Sequence, residues 1–512
     1  MNVNDFVLNI ATVNGSGSQT ANTVLLKTIF RMGIPVGGKN IFPSNIQGLP
    51  TWFWIRANPK GYIGRKAISD LVVSLNIKTQ KQDLSTLKIG GFFLSEEAVD
   101  ETLRSSRPDV VFVEIPFRTL IDGTGVAAKI KKLVVNMVYV GVLVRILGLD
   151  EQVALEVLRL NFGEKRAAFE ANKEAFEAGF SFSGEILRDL KLDFCARRVN
   201  RSEQKIIVDG NSASALGLLA GGCSFISWYP ITPSTSVVET FERFASQFRR
   251  DQQGRKTFAV LQAEDEIAAI TMVLGAGWAG ARAMTAASGP GMSLISEAAG
   301  YAYYAEIPAV IWNVQRLGPS TGLPTRTAQG DLLFAAYLSH GDTRHILLIP
   351  GTPEECFEDG RTCFDLAEKF QQLVIVLVDL DLGMNLWMSN EFSDEKKPLE
   401  RGLILKSKDP EDYARFSRYG SPDSLGLCAR TLVGDTMPGA AYFTRGSGHN
   451  SKAQYTEDPL EYQELVQRLE RKYRSARDFV PRPKVQIQDE DGVIGLICYG
   501  SSVAILGEMS DE

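Results

Sequence analysis

Between residue 206 and about 385, short apolar runs alternate with amphipathic stretches. Strands are predicted at Ser224–Trp228, Thr257–Gln262, Arg282–Ala287, Pro308–Val314, His345–Ile349 and Leu373–Asp379. Helical patterns start at Val237 and cover Asp265–Ala279, Met292–Tyr304 and Pro353–Phe370. A run of apolar residues with no polar face suits a strand buried on both sides, and strict strand–helix alternation predicts a doubly wound parallel sheet.

Residues 1–195 carry a looser α/β pattern. Strands are expected at Asp5–Val13, Asp70–Asn76 and Asp109–Phe117, the last two as parallel strands covered on both faces. Helices are expected at Ala21–Met32, Leu133–Leu149, Glu151–Leu160 and Lys165–Gly179. Arg197–Lys205 is charged and reads as a linker. Residues 386–480 turn polar and read as an extended connection with one exposed, charged helix at Tyr462–Arg477. A new apolar strand, Gly492–Tyr499, runs into Gly500-Ser501-Ser502. Residues 485–512 are thus expected to open a further α/β unit that looks incomplete.

Composition narrows the class. Hydrophobic content of 44% and charged content of 23% over 512 residues are those of a globular chain of two or more domains. A formal charge of −6 without a basic tract disfavours nucleic acid and anionic membranes as partners. The six cysteines form no CxxC pair, so no zinc site or iron–sulfur cluster is indicated. Cys356 and Cys363, seven apart, are expected as core thiols on one helix face. The start of the chain lacks the basic and apolar regions of a signal peptide, and Leu133–Leu149 is short for a membrane span. The expected compartment is the cytoplasm.

Chemistry gathers after the strands of the second region. Tyr229-Pro230-Ile231-Thr232-Pro233-Ser234 follows the first strand as a stiff, extended loop expected to present Thr232 and Ser234. Ala263-Glu264-Asp265-Glu266 follows the second, Ser288-Gly289-Pro290-Gly291 the third, and Gln315-Arg316 with Gly318-Pro319-Ser320-Thr321-Gly322-Leu323-Pro324-Thr325 the fourth. In doubly wound sheets ligands bind beyond the carboxyl ends of the strands. Four such ends bearing hydroxyls, carboxylates, a glycine turn and an arginine outweigh the bland reading of ordinary turns. Asn14-Gly15-Ser16-Gly17-Ser18-Gln19-Thr20, between a strand and a helix, is a weak phosphate-loop candidate without the third glycine of the dinucleotide fingerprint or the lysine of a P-loop.

These motifs, in this order, resemble the alpha subunit of 2-oxoacid:ferredoxin oxidoreductases, and most of all the 2-oxoglutarate branch with a gamma domain fused ahead. The resemblance covers nearly the whole chain; the turn at 15–19 is similar to a degraded opening of the gamma domain. It implies a gamma-type α/β domain over 1–195 and a thiamine-diphosphate pyrimidine-binding domain over 206–385. Residues 485–512 would then begin a transketolase C-terminal-like unit. It implies an EC 1.2.7-class enzyme converting 2-oxoglutarate and coenzyme A to succinyl-CoA and CO2, with electrons passed to ferredoxin. A beta subunit would bring the diphosphate, Mg2+ and an iron–sulfur cluster, in a dimer of heterodimers. Carried over by motif, Glu266, or second Glu264, is the acid at the aminopyrimidine ring. Thr232 lies near the reacting carbon, and Arg316 holds the substrate 1-carboxylate with Ser320 and Thr321. Tyr229, Pro230, Ile231, Ser288 and Gly289 line the cofactor. The pair Ala287-Ser288 departs from the more usual Thr-Ser. Open alternatives are a related enzyme of pyruvate or branched-chain 2-oxoacids, a non-catalytic assembly subunit, and a nucleotide-binding protein built on Gly15 and Gly17.

Overall fold

The computed structural model describes residues 1–42, 48–96, 98–186, 190–393, 395, 397–487 and 495–511. The chain folds into two units: 1–208 with 385–391 and 504–512, and 209–384 with 392–503.

The first unit is built on a six-stranded mixed sheet. Its strands are β1 (Phe6–Val13), β2 (Val36–Ile41), β3 (Pro50–Ala57), β4 (Ser69–Ser74), β5 (Leu87–Ser95) and β6 (Val111–Glu114), in the spatial order β2-β3-β1-β4-β5-β6. β1, β4, β5 and β6 pair in parallel, whereas β3 runs antiparallel to both β1 and β2. The predicted strand at 109–117 shrinks to β6. This is an edge strand with Val111 exposed rather than one covered on both faces. The helix Asn136–Ile146 is buried on nearly every side, with only Arg145 exposed: Gly141 and Gly179 let it approach the helix Arg166–Ile186 closely. A Cβ on either glycine would lie 2.0 Å from a backbone oxygen of the other helix. Among the described residues no helix is long and apolar enough to cross a membrane. The linker reading at 197–205 gives way at its end to the strand Lys205–Val208, which pairs antiparallel with Trp387–Asn390.

The second unit is a six-stranded parallel sheet. Its strands are β7 (Phe225–Trp228), β8 (Ala259–Gln262), β9 (Ala283–Ala287), β10 (Ala309–Gln315), β11 (Ile346–Leu348) and β12 (Leu373–Asp379), each within two residues of its predicted bounds. The spatial order is β8-β7-β9-β10-β12-β11. The chain therefore leaves β7 to one side and resumes on the other. The order reverses between β7 and β9, and such a switch point opens a crevice at the carboxyl edge. Ile270, Val273, Met292, Ala299, Ile311 and Ile375 form the core between sheet and helices. Cys356 and Cys363 are both buried on the helix Pro353–Phe370.

Two expectations for the C-terminal part are corrected. The charged helix, observed as Pro459–Ser475, is not simply exposed, because Leu465, Arg468, Leu469 and Lys472 form a buried face. Of the strand expected at 492–499, residues 492–494 lie outside the described residues and 495–499 form no strand; a 3-10 helix, Gly500–Ile505, and a short helix, Leu506–Asp511, follow.

Candidate active site

The loop after β7 is a tight turn rather than an extended segment. The amides of Ser234 and Thr235 donate to the Ile231 carbonyl at 2.9 and 3.1 Å, and their hydroxyls donate to the same oxygen at 3.0 and 3.2 Å. Ser234 is therefore buried beneath the turn and not presented, while Tyr229 and Pro230 are exposed and Ile231 and Thr232 partly buried. Asn211, at the start of the helix Gly210–Ala220, props the turn from below by donating to the Pro233 carbonyl at 2.9 Å.

The acidic triplet after β8 splits into three environments. Glu264 is exposed to water. Asp265 caps the helix Glu266–Trp278, its carboxylate accepting from the Ala268 amide at 2.6 Å. Glu266, the first helical residue, is only 7% exposed. No hydrogen bond from the described residues reaches its carboxylate, which instead lies against the glycine turn after β9. A Cβ on Gly291 would sit 2.9 Å from Oε1 and 3.0 Å from Cγ. Only glycine at 291 leaves Glu266 this seat.

Arg316, just past β10, ties two loops together. Nη1 donates to the Thr232 carbonyl at 2.7 Å and Nη2 to the Thr321 carbonyl at 2.9 Å, while Nε is buried without a partner. The resemblance implies a guanidinium that holds the substrate 1-carboxylate; two of its five N–H donors are committed to backbone here. Burial lowers its pKa and the charge of Glu266 raises it, so the two groups face each other without forming an ion pair. Ser320 and Thr321 are exposed on the loop it anchors. Gly322, at φ 59°, lets that loop fold back, since a Cβ there would meet the Leu317 oxygen at 1.8 Å.

Ser288 is fully buried, its hydroxyl unpartnered, and it precedes the short helix Gly289–Leu294. Beside it stand Gln315, which belongs to the motif, and two groups outside it, Asn313 and Asp331. Asn313 donates from Nδ2 to Asp331 Oδ2 at 2.9 Å, and the Asp331 amide donates to Gln315 Oε1 at 3.0 Å. Asn313 and Gln315 interrupt an otherwise apolar strand, which was the available signal; Asp331 lies 15 residues beyond Arg316 and carried none.

Three features fit the aminopyrimidine half of thiamine diphosphate: a buried carboxylate without hydrogen bonds, an orphaned buried hydroxyl, and a glycine turn between them at the switch point. Fold and edge together define a thiamine-diphosphate-binding subunit. The model of the family described as "Pyruvate flavodoxin/ferredoxin oxidoreductase, thiamine diP-bdg" matches residues 216–437, and that described as "Pyruvate ferredoxin/flavodoxin oxidoreductase" matches residues 7–182. The chain is 28% identical to 2-oxoacid:ferredoxin oxidoreductase 1, subunit alpha, of Sulfurisphaera tokodaii, over 98% of this chain and 84% of the relative. It is 35% identical to the 2-oxoglutarate synthase subunit KorA of Methanothermobacter thermautotrophicus, over 60% and 78%. The solved 2-oxoglutarate:ferredoxin oxidoreductase of Magnetococcus marinus, with 2-oxoglutarate, coenzyme A and succinyl-CoA bound, superposes with a TM-score of 0.85 at 27% identity, covering 99% of this chain and 85% of that one. This chain belongs to the 2-oxoacid:ferredoxin oxidoreductase family, as a catalytic alpha subunit.

Proposed function

We propose that this subunit oxidatively decarboxylates 2-oxoglutarate, with coenzyme A, to succinyl-CoA and CO2, and delivers two electrons singly to ferredoxin. The observation that carries the reading is Glu266, buried at the switch-point crevice with no hydrogen bond to its carboxylate. Bound thiamine diphosphate supplies a nucleophilic carbon for the 2-oxo group and a sink for the charge left when CO2 departs.

The chain's own residues supply the rest. Glu266 holds a proton balance at the aminopyrimidine ring; Glu264, being exposed, is the lesser candidate. Tyr229, Pro230, Ile231, Ser288 and Gly289 line the cofactor. Thr232 is set over the reacting centre by its carbonyl's bond to Arg316. Arg316 turns its uncommitted donors to the 1-carboxylate, with Ser320 and Thr321 at the mouth.

The edge is open on this chain, where Leu261, Ile267, Leu317 and Leu323 are exposed together with the polar residues. A beta subunit covers it, bringing the diphosphate site, Mg2+ and an iron–sulfur cluster, in a cytoplasmic dimer of heterodimers. The gamma-type unit over 1–195 precedes the pyrimidine-binding unit over 206–385. The names of the KorA relatives and of the Magnetococcus enzyme favour 2-oxoglutarate, whereas the family descriptions name pyruvate, which is the second reading. The test is to co-purify the chain with its beta subunit, add thiamine diphosphate and coenzyme A, and assay a panel of 2-oxoacids with viologen. Reduction strongest with 2-oxoglutarate is expected. Preference for pyruvate moves the substrate, and inactivity with every 2-oxoacid defeats the proposal.

A further inference from the structure

The turn Gly289-Pro290-Gly291 lies between two carboxyl groups, of which the proposed function uses one. Gly291 rests on Glu266, while on the other side a Cβ at Gly289 would stand 3.9 Å from both carboxylate oxygens of Asp331. Asp331 is fixed from several directions. Its Oδ2 accepts from Asn313 at 2.9 Å, its amide donates to Gln315 at 3.0 Å, and its carbonyl accepts from the Ala335 amide at 2.8 Å. The bland account of an aspartate before the helix Leu332–Ala336 is that of a helix cap, yet its side chain makes no capping bond. It is directed instead at the strand and the glycine turn.

Placing Asn313 and Gln315 in a buried strand has a cost. A polar group left unpaired there destabilises the fold, and Asn313 Oδ1 and Ser288 Oγ have no partner. We infer that Asp331 is a positioning residue that holds Asn313, whose strand position pairs in register with Ala287, and so fixes the end of β9 from which the turn seating Glu266 departs. This rests on the functional reading of Glu266. Burial raises the Asp331 pKa, and its contacts require an acceptor oxygen rather than a charge.

The test uses the alpha–beta complex loaded with thiamine diphosphate. Asp331→Ala is expected to lower kcat by roughly tenfold or more with the 2-oxoacid KM unchanged, because a small displacement of a reacting group is expensive. At unchanged cofactor occupancy it is also expected to weaken the near-ultraviolet circular-dichroism signal of the imino tautomer. Asp331→Asn, which keeps an acceptor, is expected to retain most of both signals. Asn313→Ala combined with Asp331→Ala is expected to lose little more than either alone, since the two act as one unit. Wild-type kcat and dichroism in Asp331→Ala would overturn the inference, as would losses that multiply in the double variant. Equal damage in Asp331→Asn would also overturn it. If Asp331→Ala does not assemble, Asp331→Asn and Asn313→Ala still decide. An intact Asn variant alongside an Asn313→Ala variant lowered in kcat supports the inference, and an Asn313→Ala variant with wild-type kcat and dichroism overturns it. The dichroism needs no 2-oxoacid, so a wild-type complex that shows the imino signal but reduces dye with no 2-oxoacid would sink the proposed activity, while the dichroism of the variants still tests this inference.

Discussion

Two buried glutamates of the second unit sit in opposite circumstances. Glu306, 2% exposed, accepts from Arg468 Nη1 at 3.0 Å and from Lys472 Nζ at 2.7 Å, with Arg468 Nη2 on its other oxygen; Arg418 donates to its backbone carbonyl at 3.2 Å. Its backbone is bent to φ 56° to reach them. These cations outweigh the desolvation and hold its carboxyl far below the usual range. Glu266 is nearly as buried but has neither hydrogen bonds nor an ion pair, only the field of Arg316 and the bare backbone of Gly291. A carboxylate whose valences are filled by its own fold is structural. One whose oxygens are left unfilled yet still reached by solvent at the edge of the sheet is open to a ligand. The contrast assigns Glu306 to holding the helix Pro459–Ser475 in place and supports the proposal that Glu266 serves the chemistry.

The contrast can be broken at Glu306 first. Glu306→Gln leaves Arg468 and Lys472 buried without a counter-charge, and is expected to destabilise the second unit by roughly 3–5 kcal/mol in denaturant titration. Folded protein should still turn over normally. The pH dependence has a definite sign. The folded-state pKa of Glu306 lies below its unfolded value of 4.5, so its stabilisation is present above about pH 4.5 and is lost as pH falls through the acid range below it. Glu306→Gln should flatten that limb of the stability profile.

Arg316→Ala sharpens the other side. Losing a charged contact should cost about 2 kcal/mol in kcat/KM, chiefly as a raised KM for the 2-oxoacid. An unchanged KM would reduce Arg316 to a tie between the Thr232 and Thr321 carbonyls. The smallest effect is expected of Glu264→Gln. Its carboxylate is exposed, so steady-state rates should change by less than about 1 kcal/mol.

Much of this arrangement was legible in the sequence of the second unit, where each parallel strand is a short apolar run bounded by polar turns. The first unit was less legible. β2 reads Val-Gly-Gly-Lys-Asn-Ile, without alternation, because a Cβ at Gly38 would lie 2.3 Å from Leu26 Cδ1 and 2.9 Å from the Phe53 ring, a constraint set by packing. The antiparallel pairing of β3 depended on that same long-range fit. In the candidate site the motif residues lie along the expected edge. Yet that Glu266 rather than Glu264 is buried followed from where the helix begins, and the Asn313–Asp331 bond joins positions 18 apart across a loop without periodicity. The buried face of the helix 459–475 was visible as the spacing Leu465, Leu469, Lys472, Ala476, but the charges of Arg468 and Lys472 masked it.

The most direct test is Glu266→Gln in the assembled complex, with dye reduction and unfolding midpoint measured on the same preparation. The account predicts that 2-oxoacid-dependent reduction falls by about a hundredfold to ten-thousandfold while assembly and midpoint stay at wild-type values. Near-normal turnover, or a loss of stability on the scale expected for Glu306→Gln, would contradict it.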